Sequence, residues 1–251
     1  MSFMELTNKV IVVTGAGGGM GKAIVSRLLE QGASVVGIDL SVESLKGISQ
    51  DKFIAKQANV LDEQSVADIF SEIYQEQGQI DGLVNALGIA QSQTPIEEVT
   101  LEQWHRFMDI NATSLFITCK EAVKYMKPKR QGSIVTIASI SAVRPRPGLQ
   151  SYIASKGAAE SFSRAMAIEL APYSIRVNTI HPGPADTAML GQFTAKGADV
   201  EKMRNEVFKQ SVPLGELIQP EDIAYSVAYL LSDGAKMVTG ATLHVDGGRG
   251  L

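Results

Sequence analysis

Two side chains near the middle of the chain have the types and spacing for proton chemistry. Tyr152 and Lys156 stand at i and i+4 in Tyr152-Ile153-Ala154-Ser155-Lys156. On a helix that spacing puts both on one face. An ammonium beside a phenol favours the phenolate, so Lys156 is expected to lower the Tyr152 pKa from its reference value of ~10. A tyrosine tuned towards neutrality takes a proton from an alcohol or returns one to a ketone. On spacing alone a solvated surface pair is the commoner reading, since any helix surface can carry it. A second feature lies near the start, where Thr14-Gly15-Ala16-Gly17-Gly18-Gly19-Met20-Gly21 follows an apolar run and opens a helical pattern. Missing side chains there let the backbone approach a pyrophosphate, and the helix N-terminus supplies free N–H groups and a favourable dipole. Asp39 follows about 20 residues after Gly19, at the end of the second apolar run. A carboxylate there can accept hydrogen bonds from both ribose hydroxyls of an adenosine, and it repels a 2′-phosphate. Arg27 is the only basic residue between Lys22 and Lys46, and Gly18 stands where a basic residue would grip an extra phosphate. These features favour NAD over NADP.

A frame must bring these regions together. Short apolar runs read as strands at 10–13, 34–38, 52–57, 82–84, 133–137, 175–180 and 242–245. Several are rich in Val and Ile and apolar on both faces, as parallel strands covered on both sides are. Helical patterns fill 20–31, 65–77, 101–126, 154–170 and 220–231, with Ile24, Leu28 and Leu29 on one face of the first. The alternation predicts an α/β, single-domain, doubly wound Rossmann fold with a parallel sheet of about seven strands and helices on both faces. No linker, charge block or repeat interrupts it. One domain is expected over 1–251, with a cofactor half at about 1–130 and a catalytic and substrate half at about 131–251. The stretch 182–212 shows no clear strand. It follows a strand C-terminus, where ligands bind in such sheets, and reads as a lid (184–212) or as an excursion covering the sheet edge.

Taken together, Thr14-Gly15-x-x-x-Gly19-x-Gly21, Asn85-Ala86-Leu87-Gly88, Asn111, Ser139, Tyr152-x-x-x-Lys156, Pro182-Gly183 with Thr187, and Asp246-Gly247-Gly248 carry a resemblance. The sequence resembles the short-chain dehydrogenase/reductases, in the subgroup with subunits of about this length, over nearly its whole extent. The resemblance implies an NAD(H)-dependent oxidoreductase that interconverts a secondary alcohol and a ketone. It implies Tyr152 as general acid/base. Lys156 would lower the Tyr152 pKa and bond the nicotinamide ribose. Ser139 would hold the substrate oxygen, and Asn111 would position a water linking Lys156 to solvent. The cofactor would lie against Gly15, Gly18, Gly19, Met20, Gly21, Asp39, Asn59, Val60, Asn85, Gly88, Tyr152, Lys156, Pro182, Gly183 and Thr187. A homo-oligomer, most often a tetramer, would form through the long helices and the C-terminal segment. Two departures stand out: Leu87 replaces a smaller residue, and Asn59 replaces an acid beside the adenine. Two rivals remain. An NADPH-dependent 3-oxoacyl-type ketoreductase is opposed by Asp39 and Gly18. A non-catalytic nucleotide-binding or sensing protein is opposed by Asn111, Ser139, Tyr152 and Lys156.

Substrate choice is expected from the loops 89–99, 140–151 and 184–212. Arg144 and Arg146, flanked by Pro145 and Pro147, read as anion ligands or as surface and subunit-contact charges. Gln150 reads as a donor to a second substrate oxygen or as structural. His181 is expected to be satisfied or exposed, since it has no metal-ligand spacing with His105 and His244; no metal is expected. Trp104 and Phe107 are expected to pack. The net charge of −4 argues against a nucleic-acid partner. The basic cluster Lys124, Lys127, Lys129 and Arg130 is expected to end a helix. No apolar run reaches the ~18–20 residues of a membrane span. The run 10–13 after Lys9 is too short for a signal-peptide core. Cys119 is the only cysteine, so no intrachain disulfide forms, and a cytoplasmic setting is expected.

Overall fold

The computed structural model describes residues 5–48, 51–195 and 197–251. Strands β1 (Val10–Thr14), β2 (Ser34–Asp39), β3 (Phe53–Gln57), β4 (Gly82–Asn85), β5 (Gly132–Ile137), β6 (Ile175–Pro182) and β7 (Thr242–Val245) form one sheet. Its order is β3-β2-β1-β4-β5-β6-β7, and every pairing is parallel. Each expected strand forms within two residues of its expected ends.

Side chains alternate across the strands and feed two cores. On one face Ile11, Val13, Val84 and Val135 pack beneath helices α1 (Gly19–Glu30) and α7 (Pro220–Leu231), through Ile24, Leu28, Ile223 and Val227. On the other, Val12, Val36, Leu83 and Ile134 pack beneath α2 (Glu63–Gln77), α4 (Ser114–Lys129) and α5 (Gln150–Leu170), through Phe70, Ile73, Met126 and Ala159. Each buried aliphatic side chain contributes roughly 1.5–3 kcal/mol. The sheet grows outward in opposite directions from β1 and β4. Their C-terminal ends therefore form the crevice where ligands bind in such folds.

Three elements differ from expectation. The helix expected over 101–126 is α3 (Leu101–Met108) and α4, joined by a π-helical turn at Asp109–Thr113. Helix α5 begins at Gln150, so Tyr152 lies in its first turn. Trp104 is 37% exposed, and α3 has no buried residue, so its apolar face packs little against its own chain. Helix α4 does end in the basic cluster. Arg130 caps it in a left-handed conformation (φ 50°) and donates to the Pro172 carbonyl. Lys124 pairs with Glu121 and Lys127 with Glu169, at 2.6 and 3.3 Å.

The excursion after β6 is built from short turns and the single-turn helix α6 (Val200–Lys202), with Lys196 outside the described residues. It has a small core of Leu190, Phe208 and Leu217, against which Phe193 and Met203 pack. Its ends are tied by a bridge between Ala185 and Ile218, and by Ile218 N donating to the Pro184 carbonyl at 3.0 Å. Among the described residues no helix is long and apolar enough to cross a membrane.

Candidate active site

The glycine turn links β1 to α1. Gly15 has φ +68°, and a side chain there would meet the Leu87 backbone at 2.7 Å, so the loops after β1 and β4 touch. A side chain on Gly21 would lie 2.1 Å from the Gly15 carbonyl oxygen, which is how closely α1 seats on the turn. No side chain caps α1 at Gly18, and its first turn holds no acid, so its N-terminal dipole is uncompensated. Asp39 ends β2 beside this turn. Its Oδ2 accepts from the Gly17 amide at 2.9 Å, and the only other hydrogen bond it accepts among the described residues is a long one, 3.5 Å, from the Ser41 amide to Oδ1. The cradle fits a dinucleotide: bare amides for the pyrophosphate and a carboxylate for the adenosine ribose.

Across the crevice, Ser139 extends β5 and Tyr152 and Lys156 project from α5. All three are buried. They line one cleft with Met20, Gly88, Pro182, Gly183 and Thr187. Thr187 stands over the glycine turn, its Cγ2 3.0 Å from where a Gly19 side chain would begin. The Ser139 hydroxyl accepts from the Ser141 amide at 3.1 Å. The Tyr152 amide donates to Gln91 Oε1 at 2.9 Å, which locks the start of α5. Lys156 Nζ donates to the Ile137 carbonyl at 3.0 Å. Gly88 leaves it room, since a side chain there would come within 3.0 Å of that nitrogen.

Asn111 sits in the π-helical turn, a feature common at functional sites. Its Oδ1 accepts from the Ile89 amide at 2.8 Å, and its Nδ2 donates to the Ile89 carbonyl and to Ser155 Oγ at 3.2 and 2.9 Å. The amide thus clamps the loop after β4 onto α5, beside Lys156.

The expected lowering of the Tyr152 pKa is corrected. Burial pushes the phenol up to about 12, while the Ser139 hydroxyl and the Arg146 charge pull it the other way. Burial also brings Lys156 down to about 8. The i, i+4 spacing does place both on one face, but the ammonium turns to the Ile137 carbonyl.

Other expected residues lie as follows. Asn85 turns its side chain inward, accepting from Thr14 and Thr118 hydroxyls at 3.3 and 2.7 Å, and does not line the cleft. Asn59 Oδ1 accepts from the Leu61 amide at 3.1 Å, and Val60 is buried. Gln150 turns its amide towards the Thr94 carbonyl, 3.4 Å away, rather than into the cleft. Arg144 donates to the Arg249 carbonyl. Arg146 lines the cleft. His181 is fully buried with neither ring nitrogen hydrogen-bonded, against expectation. It stacks on His244 at 5.3 Å, and its Nε2 lies 3.5 Å from Glu160. Burial lowers its pKa, so the neutral ring is favoured. Sequence reasoning missed Gln91, Phe193 and Arg249. Phe193 stands edge-on to the Tyr152 ring at 5.0 Å, and Arg249 enters the cleft from beyond β7.

A parallel doubly wound sheet, a glycine turn at its central strand and a buried Ser–Tyr–Lys set at the same edge define a Rossmann-type oxidoreductase. A family model described as enoyl-(acyl carrier protein) reductase matches residues 15–249. The 2,3-dihydro-2,3-dihydroxybenzoate dehydrogenase of Bacillus subtilis is 36% identical over 99% of this chain and 98% of its own. The 3-oxoacyl-(acyl-carrier-protein) reductase FabG of Thermotoga maritima is 32% identical over 98% and 99%. The crystal structure of 3-ketoacyl-(acyl-carrier-protein) reductase from Brucella melitensis complexed with NADH superposes with a TM-score of 0.91 at 33% identity, covering 98% of this chain and 100% of that one. The chain belongs to the short-chain dehydrogenase/reductase family.

Proposed function

We propose that this chain is an NAD(H)-dependent oxidoreductase that interconverts a secondary alcohol and its ketone. The observation that carries the reading is that Ser139, Tyr152 and Lys156 line one cleft together with Met20 and Thr187 of the dinucleotide cradle. When bound, NAD(H) accepts or supplies the hydride. The uncapped N-terminus of α1 holds the pyrophosphate, Asp39 holds the adenosine ribose, and Thr187 meets the nicotinamide end. Ser139 orients the substrate oxygen. Tyr152 holds its proton firmly in its buried site, a form suited to protonating a ketone oxygen. For alcohol oxidation the phenolate is required, and the Ser139 hydroxyl and the Arg146 charge favour it. Asn111 acts by position, fixing the Ile89 backbone next to Lys156.

Asp39 supports NAD over NADP, because a carboxylate beside the adenosine ribose repels a 2′-phosphate. The name of the Thermotoga relative favours a second reading, an NADPH-dependent 3-oxoacyl reductase; Asp39 and Gly18 oppose it. Exposed Trp104, Phe116 and Ile168 on α3, α4 and α5 support a homotetramer assembled through these helices. The buried free thiol of Cys119 suits a cytoplasmic, reducing compartment.

The test is turnover of secondary alcohols and ketones with each nucleotide, followed by absorbance of the reduced form. NADH is expected to outperform NADPH. Tyr152→Phe is expected to lower kcat at least ~100-fold while NADH still binds. A strong NADPH preference overturns the cofactor assignment, and unchanged turnover in the variant overturns the mechanism.

A further inference from the structure

Two guanidinium groups wall the cleft that holds Ser139 and Tyr152. Arg146 comes from the loop before α5, and Arg249 comes from the segment after β7. Among the described residues, neither has a carboxylate within ion-pair distance. The acid nearest Arg249 in sequence, Asp246, already accepts from the Gly248 and Gly250 amides at 2.9 and 2.7 Å. Those bonds hold the backbone that presents Arg249, and Arg144 secures the same stretch by donating to the Arg249 carbonyl. Arg249 Nη1 donates to the Ser211 carbonyl at 3.2 Å. The Arg146 guanidinium lies over the Phe208 ring at 4.9 Å. Both arginines are partly desolvated, and each stands near another positive charge, Arg249 for Arg146 and Arg144 for Arg249; Asp246 acts on Arg249 with the opposite sign from beyond ion-pair distance.

Holding two such cations side by side with no carboxylate paired to either costs free energy, unless an anion supplied from outside completes the site. Away from Ser139, Tyr152 and Lys156 the cleft has an apolar side. Leu190, Phe193 and Phe208 stand beside the two arginines, and Phe193 meets the Tyr152 ring. Fork-shaped guanidinium groups match the paired oxygens of carboxylates and phosphates.

We infer that the substrate is an anionic hydroxy compound, or its ketone, with a compact apolar body. Its carboxylate or phosphate sits between Arg146 and Arg249, its body lies against Leu190, Phe193 and Phe208, and its oxygen faces Tyr152 and Ser139. This rests on the dehydrogenase reading and adds the substrate's charge. Arg146 and Arg249 are then specificity-determining residues, acting on binding more than on the chemical step.

The experiment joins calorimetry to turnover. The NADH-bound protein is titrated with cyclohexanecarboxylate, cyclohexyl phosphate and cyclohexanecarboxamide, and the 4-hydroxy derivative of each is offered with NAD. One of the two anions is expected to bind ~10–150-fold more tightly than the amide, the range for a hydrogen bond to a charged group. The kcat/KM preference should follow, mainly through KM. Comparing the two anions separates carboxylate from phosphate. Arg146→Gln and Arg249→Gln should each collapse the anion-to-amide ratio to within about fivefold, and Arg146→Lys should restore part of it. The inference is overturned if wild-type protein treats the amide and both anions alike. It is also overturned if both Gln variants weaken anion and amide equally. Anion preference in calorimetry without turnover of any alcohol would remove the dehydrogenase reading and leave the anion site. Turnover without anion preference would do the reverse.

Discussion

Replacing Asp39 by Asn isolates one charge in the cofactor cradle. The Asn side chain keeps an oxygen that can accept from the Gly17 amide, now 2.9 Å from Oδ2, so the turn retains its tether. What disappears is the negative charge. With the charge of a 2′-phosphate taken at a working distance of ~5 Å from this carboxylate, two unit charges repel by roughly 0.8 kcal/mol in water and roughly 3 kcal/mol at an effective dielectric constant of 20. Asp39 is neither buried nor fully exposed, so the value lies between these limits. The preference for NADH over NADPH should therefore fall by ~5–100-fold in Asp39→Asn. The assay is kcat/KM for each nucleotide against one ketone, at two ionic strengths. Affinity for NADPH should rise, and the gain should shrink as salt screens the charge. A ratio that moves less than about threefold would show that Asp39 does not face the ribose, and the cofactor assignment would lose its main support.

Three further outcomes are expected. Lys156 titrates at about 8 in the folded protein against 10.5 as its ordinary value, so between these pH values the folded chain has lost a proton that the unfolded chain keeps. Stability attributable to this group therefore rises with pH across that window, by about 3 kcal/mol in all. Lys156→Met removes the titration, so urea unfolding should show its stability advantage over wild type shrinking from about pH 7 to about pH 10.5; a constant difference would refute the buried ammonium. Cys119 is buried and its thiol is pushed up to about 12, so iodoacetamide should leave the folded protein unlabelled and modify it only in denaturant. Fast labelling of folded protein would contradict that burial. Gly21→Ala forces a methyl group into the Gly15 carbonyl, 2.1 Å from the ideal position, and should cost at least ~2 kcal/mol together with NADH affinity. Unaltered binding and thermal unfolding would show that the turn does not seat α1 as described.

The strands were legible because parallel strands covered on both sides are apolar throughout, and runs such as Val10–Thr14 have few alternatives. The glycine turn, Asp39 and the Tyr152–Lys156 spacing were legible because each lies within one short segment. The break between α3 and α4 was not, since hydrophobic periodicity continues through Asp109–Thr113 while the backbone inserts a π-helical turn. The Tyr152 pKa was misjudged because spacing reports which face a charge shares, not where its ammonium points. Here the Ile137 carbonyl, brought in by β5, takes that ammonium. Trp104 was expected inside because its pattern is amphipathic, yet a pattern does not say whether the covering surface belongs to the same chain. Arg249 carried no local signal at all. Its place in the cleft depends on Asp246, Ser211 and Arg144 meeting in space.

The excursion after β6 closes on itself. Pro184, Ala185 and Ile218 are joined at its base, and its own apolar residues cluster together. A segment whose two ends are already adjacent behaves as a cassette. Its inner residues can change while β6 and α7 keep their places, provided its ties to the segment after β7 are kept: Leu214 N donates to the Gly247 carbonyl at 3.1 Å, and Arg249 Nη1 to the Ser211 carbonyl at 3.2 Å. It also supplies Leu190, Phe193 and Phe208 to the cleft. Changes at Leu190 and Phe208 can thus reshape the apolar side of the pocket, whereas Thr187 and Phe193 in the same segment touch the glycine turn and the Tyr152 ring and must be kept.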